Sequence, residues 1–181
     1  MLYERLLGSD WLRLAEPIRA FHSQSPVSVR GLMRVTNRRG AWSRMLARLF
    51  RLPQENKSSV AHLVVTTSDS GETWQRTFDG IRLCTRQFEA APGELGEQFG
   101  FLEFRFRLEA TDGGLRYRQI VAAVRTGTIR VPLPAVIAPQ VEAREDPDGQ
   151  RGIRVRVSVS VPAARPILTY DGVVSFEDCR A

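Results

Sequence analysis

Lysine is almost missing from this chain. Lys57 is the only one, so arginine supplies nearly all of the positive charge behind the net +6 and the pI near 10.3. Histidine is scarce too, with His22 and His62 alone, which excludes a histidine-rich metal site. Cysteine is limited to Cys84 and Cys179, without CxxC spacing. Two separated thiols point to a reducing cytoplasm rather than a disulfide framework, and the sequence leaves open whether they pair. No apolar run reaches the length of a bilayer-spanning helix. The first twenty residues carry Glu4, Asp10 and Glu16 and lack the apolar core and cleavage site of a secretory signal. Gly-rich phosphate loops, GxSxG elbows and nucleophiles beside a histidine are absent as well. Catalysis is not visible, and neither a metal nor a cofactor is expected.

What remains is 181 residues, 43% hydrophobic and 25% charged, which suit one globular cytoplasmic domain over 1–181. A helical segment over 1–25 precedes a β-rich body over 26–181. In the first, Trp11, Leu12 and Leu14 lead into Glu16-Pro17, and proline suits the first turn of a helix whose Ile18 and Phe21 face the body. Val29, Gly31, Met33 and Val35 then alternate as a strand. From Ala41 the period turns helical: Trp42, Met45, Leu46, Leu49 and Phe50 share one face of a short basic helix that Pro53 stops. Strands are expected over 60–67, 73–78, 81–88, 101–108, 115–124, 141–145, 153–161 and 167–176. Val131-Pro132-Leu133-Pro134 cannot form a central strand, and a helical turn is expected just after it. The expected class is α+β but mostly β: a strongly curved antiparallel sheet or barrel-like cup, with N-terminal helices and the short amphipathic helix covering one end.

Two-residue turns set the register of two hairpins. A primed turn at Asp112-Gly113 places Leu108 opposite Tyr117, Phe106 opposite Gln119, Phe104 opposite Val121 and Leu102 opposite Ala123. That face is apolar apart from Gln119 and the Tyr117 hydroxyl. The other face sets Arg107 directly across from Arg118, which calls for an anion between them, a glutamate on the next strand ahead of a bound phosphate. Asp79-Gly80 pairs Phe78 with Ile81, Arg76 with Leu83 and Trp74 with Thr85. Arg76 therefore points inward with Trp74 and Phe78. A buried guanidinium needs a carboxylate, from Glu94 or Glu97 in the following loop, or an anionic ligand. Near the C-terminus Ile153, Val155, Val157, Val159 and Val161 face the core, as do Leu168, Tyr170, Val174 and Phe176. Gly172 relieves a bend or close approach there. His22 and His62 read as structural histidines. Arg105, Arg107, Arg116, Arg118, Arg154 and Arg156 form a basic exterior, with Glu103 and Glu109 as charge partners.

Several short motifs along the chain resemble a bacterial domain family of unknown function, found alone or fused behind NADP-binding modules of the saccharopine-dehydrogenase type. They are Leu7-Gly8 with Trp11, Phe21-His22, Leu46-Ala47-Arg48-Leu49 with Leu52-Pro53, Trp74-Gln75-Arg76-Thr77-Phe78 with Gly80, Gln98-Phe99-Gly100, Val131-Pro132-Leu133-Pro134 and Tyr170-Asp171-Gly172. The resemblance implies no reaction and no catalytic residue. It does imply a domain that could hold a substrate for a reductase, here a separate chain.

The leading expectation is thus a non-catalytic domain holding an apolar or acyl small molecule. Its lining would include Arg76, Tyr117, Gln119, Trp74, Phe104, Phe106 and Tyr170. A competing reading is a cup-shaped cyclase or isomerase in which Arg76, Tyr117 or Asp171 polarises a carbonyl. A third is a binder of anionic surfaces through the outer arginines, with peripheral membrane contact through the Trp42 helix. Nucleic acid is not an expected partner, because the arginines are spread along the whole chain rather than gathered in a tail.

Overall fold

Residues of alternating polarity, separated every few positions by Asp-Gly or Pro-Gly pairs, fold as consecutive antiparallel hairpins. A computed structural model describes residues 1–37, 55–162 and 166–177. The helix expected over 41–52, with Trp42, and Cys179 lie outside the described residues.

Among the described residues the strands are β1 (Val27–Asn37), β2 (Asn56–Ser68), β3 (Gly71–Phe78), β4 (Ile81–Ala91), β5 (Glu94–Phe99), β6 (Leu102–Thr111), β7 (Gly114–Thr126), β8 (Ile129–Pro132), β9 (Gln140–Asp148), β10 (Gly152–Ser160) and β11 (Leu168–Phe176). Sequential neighbours pair from β1 to β7. β7 then pairs with β9, β9 with β10, β10 with β11, and β11 returns to β1. Ten strands thereby close an antiparallel barrel, and β8 leaves the ring as an edge hairpin on the end of β7. Closure leaves these ten strands no free edge over their paired lengths.

The tight turns adopt the conformations expected of them. Asp79 (φ 46°) with Gly80 (φ 86°), and Asp112 (φ 54°) with Gly113 (φ 76°), both take the left-handed backbone of primed hairpins. The Asp79-Gly80 register is as expected, with Trp74 opposite Thr85 and Arg76 opposite Leu83. The second hairpin follows expectation only as far as Phe106–Gln119. A bulge at Ile120 then shifts the pairing by one residue, so Phe104 faces Ala122 and Leu102 faces Val124. Val121 thus falls opposite Arg105, away from the interior position expected for it. A second correction concerns Glu94 and Glu97, expected in a loop: both belong to β5, which Pro92-Gly93 separates from β4.

One end of the barrel is plugged by α1 (Leu2–Leu7), a 3₁₀ turn (Gly8–Arg13) and α2 (Glu16–Ser23). α2 carries Pro17 in its first turn and buries Ile18, Phe21 and His22. α1 buries Leu2, Tyr3, Leu6 and Leu7. The Ala15 amide donates to the Gly113 carbonyl at 2.8 Å and fixes this plug to the β6–β7 turn. Among the described residues the opposite end carries the exposed part of the cavity lining and is termed the mouth. It is bordered by Val136 and Ile137 from the turn after β8, where both the Ile137 and Ala138 amides donate to the Pro134 carbonyl, and by Ile167 and the first residue of β11, Leu168.

Candidate ligand-binding site

The inward faces of the strands do not fill the barrel. They enclose a cavity of about 820 Å³ between the helical plug and the mouth. Its walls are mainly apolar: Met33 and Phe78 on one side, Phe104 and Phe106 on another, and Val155, Val157 and Val159 along β10. Sites of this size and character accommodate drug-sized apolar molecules held by a few placed polar groups.

Those polar groups form two clusters. The first surrounds Arg76, whose side chain is only 13% exposed. Its Nη1 donates to Thr85 Oγ1 at 2.8 Å, its Nη2 donates to Glu97 Oε1 at 3.2 Å, and its guanidinium lies 5.0 Å from the centre of the Trp74 ring. Burial is the strongest single influence and works against the charge, but Glu97 together with Tyr170, Tyr3 and Tyr117 more than offsets it and raises the Arg76 pKa, so the group stays charged inside the barrel. Glu97 is therefore the carboxylate that an inward arginine requires.

The second cluster is the floor, where the plug meets the barrel. Tyr3 stacks on His22 with ring centres 3.7 Å apart and donates to Gln87 Oε1 at 2.6 Å. Its hydroxyl also touches that of Tyr117 at 3.1 Å. Tyr117 donates to Glu145 Oε1 at 2.7 Å, and Glu145 Oε2 lies 2.8 Å from His22 Nε2. Beside them the Trp74 indole donates to Glu72 Oε2 at 3.1 Å. All of these side chains are buried. Burial and the nearby Glu145 carboxylate push the Tyr3 and Tyr117 phenols well above their ordinary values, so both remain protonated. Burial also pushes up the Glu72 carboxyl, against the Trp74 hydrogen bond.

Six of the seven residues expected at the site line the cavity: Arg76, Tyr117, Trp74, Phe104, Phe106 and Tyr170. Gln119 does not. Its side chain turns to β9, accepting from the Val141 amide at 2.7 Å and donating to the Pro139 carbonyl at 2.9 Å. It bonds the chain where β7 parts from β9, so its amide serves as a substitute for a peptide group. Asp171 is also elsewhere, bound on the outer face to Arg156 at 2.7 Å and Arg154 at 3.4 Å.

Glu145, Gln87 and Tyr3 were not anticipated. Glu145 had a visible signal, an acidic residue continuing the inward alternation of Val141 and Ala143. Gln87 follows from extending the Asp79-Gly80 register to Glu72. Tyr3 had none, because α1 is too short for its periodicity to stand out.

His22 is buried in the floor, bonded to Glu145 and stacked on Tyr3. His62 is half-exposed on β2 and binds Glu177 at 3.0 Å and Ser28 at 2.9 Å. On the outer face Arg107 does stand opposite Arg118. Glu94 faces the first across β5, Glu142 faces the second across β9, and Arg118 binds Glu109 at 3.5 Å. Glu103 is fully buried beneath Arg105, Arg125 and Arg130. Among the described residues no cluster of His, Cys, Asp and Glu could hold a metal ion, and no helix is long and apolar enough to cross a membrane. Cys84 is exposed on β4.

Fold and cavity together define an antiparallel barrel closed at one end by helices. The chain belongs to a family described as a domain of unknown function, DUF4166, whose model matches residues 14–174. No curated protein matches the chain, and no solved structure does.

Proposed function

We propose that this domain binds an apolar or acyl small molecule inside the barrel, with the polar end of that molecule at Arg76 and its apolar part toward the mouth. The observation that carries the reading is the cavity of about 820 Å³, walled by aliphatic and aromatic side chains with the buried Arg76 guanidinium among its lining groups. An apolar wall of this extent offers a guest many dispersion contacts. Presentation of the guest to a separate reductase chain belongs to the same proposal and draws its support from the family resemblance alone.

The cyclase or isomerase reading has less support. Asp171 faces outward, and the Tyr117 hydroxyl is committed to Glu145 and Tyr3. The surface-binding reading is weakened by the outer carboxylates that pair with Arg118, Arg154 and Arg156.

Native mass spectrometry of the purified protein, followed by organic extraction, tests the binding proposal. A co-purifying apolar compound that is lost from Phe106→Trp, which fills the bore, supports it. A protein that carries nothing and takes up no apolar probe refutes it.

A further inference from the structure

Building on that reading, we propose that the guest is uncharged: an apolar chain or ring system ending in an ester, ketone or alcohol oxygen, and not a free carboxylate. The argument is a charge inventory of the cavity. Among the described residues the charged side chains along its wall are Arg76, Glu97, Arg144 and Glu145, together with His62. Arg144 is bound to Asp146 at 2.6 Å and His62 to Glu177, and both are substantially exposed to solvent.

At depth, then, Arg76 is matched by Glu97, and Glu145 is held by His22 and Tyr117 with no arginine or lysine upon it. Among the described residues no cation deep in the bore is left over for a second anion. A guest carboxylate would lose its hydration, share Arg76 with Glu97, and sit in the same low-dielectric space as Glu97 and Glu145. A neutral oxygen meets none of these costs. Arg76 has five N–H groups. Its bonds to Thr85 and Glu97 leave further donors for such an oxygen, and the Thr85 hydroxyl, accepting from Arg76, keeps its own proton to give.

The test uses three probes with the same alkyl chain: dodecanol, methyl dodecanoate and dodecanoate. Affinities are measured at neutral pH by isothermal titration calorimetry on the intact protein and on Glu97→Gln. The ester and alcohol are expected to bind the native protein at least about tenfold more tightly than the carboxylate. Glu97→Gln keeps a hydrogen-bonding partner for Arg76 but frees its charge, so the preference should move toward dodecanoate by about tenfold or more. Equal or tighter binding of dodecanoate to the native protein overturns this inference and leaves cavity binding intact. An unchanged preference in a folded Glu97→Gln protein also overturns it. Failure of all three probes to bind overturns the binding proposal itself. Should Glu97→Gln not fold, the native preference alone decides.

Discussion

Tyr117 and Glu145 sit on neighbouring strands and share a hydrogen bond of 2.7 Å, through which the barrel wall reaches the helical plug, because the other Glu145 oxygen meets His22 of α2. Removing the phenol oxygen leaves a buried carboxylate short of a donor. Tyr117→Phe is therefore expected to destabilise the protein by about 1–3 kcal/mol, the cost of an unsatisfied buried acceptor. Urea denaturation of Tyr117→Phe, Tyr3→Phe and the double variant should show coupling between the two sites. Strict additivity would mean that the hydroxyls do not act as one network.

The chain has three tyrosines, Tyr3, Tyr117 and Tyr170, and all are buried. Burial raises each phenol above its ordinary value; for Tyr170, Arg76 opposes that rise. A raised folded value means that the native state keeps protons the unfolded state releases. Stability is thus fully present below about pH 10 and falls as the pH climbs beyond it. Phenolate absorbance should emerge together with loss of near-ultraviolet circular dichroism. One tyrosine titrating near the ordinary value in a folded protein would contradict the burial.

Glu103 behaves in the opposite sense. Burial opposes its charge, yet hydrogen bonds from Arg125, Arg130 and Arg105 hold the carboxyl below the usual range. A depressed folded value contributes stability above the unfolded value of about 4.3, lost as the pH falls through the lower folded one. Glu103→Gln should lower the melting temperature at neutral pH and show a smaller further drop on acidification. Parallel acid profiles for the two proteins would argue against the triple clamp.

Gly172 of β11 lies opposite Met33, and a Cβ there would overlap the Leu32 carbonyl and crowd the Met33 sulfur. Because backbone must move to relieve it, Gly172→Ala is expected to cost roughly 1–3 kcal/mol, in the range for overpacked sites. Chemical denaturation measures this directly. An unchanged midpoint would show that β1 and β11 can separate freely at that point.

Where a local signal was strong, the sequence and structure agree. The inward turn of Arg76 follows from two residues, Asp79 and Gly80, whose left-handed backbone sets the register of everything behind them. Register past Phe106 was not legible, because a single bulge at Ile120 has no compositional mark and moves every later pair. β5 was hidden for another reason. Glu94-Leu95-Gly96-Glu97 has weak strand propensity and forms a strand because β4 and β6 both pair with it. The Glu97 partner of Arg76 was therefore named correctly but placed in the wrong kind of element. Gln119 left the expected lining because a broken ladder nearby offered its amide two main-chain partners.

That broken ladder has a mechanical meaning. Beyond Arg118 the main chain of β7 no longer bonds to β9, and one glutamine side chain bridges the two strands beside the rim. From Leu115 to Arg118 the two strands are held by a main-chain ladder; past it, among the described residues, the Gln119 amide holds them with a pair of bonds. The vessel thus has a short seam beside its rim, where one side chain replaces the main-chain ladder and local parting of the wall would cost fewer bonds.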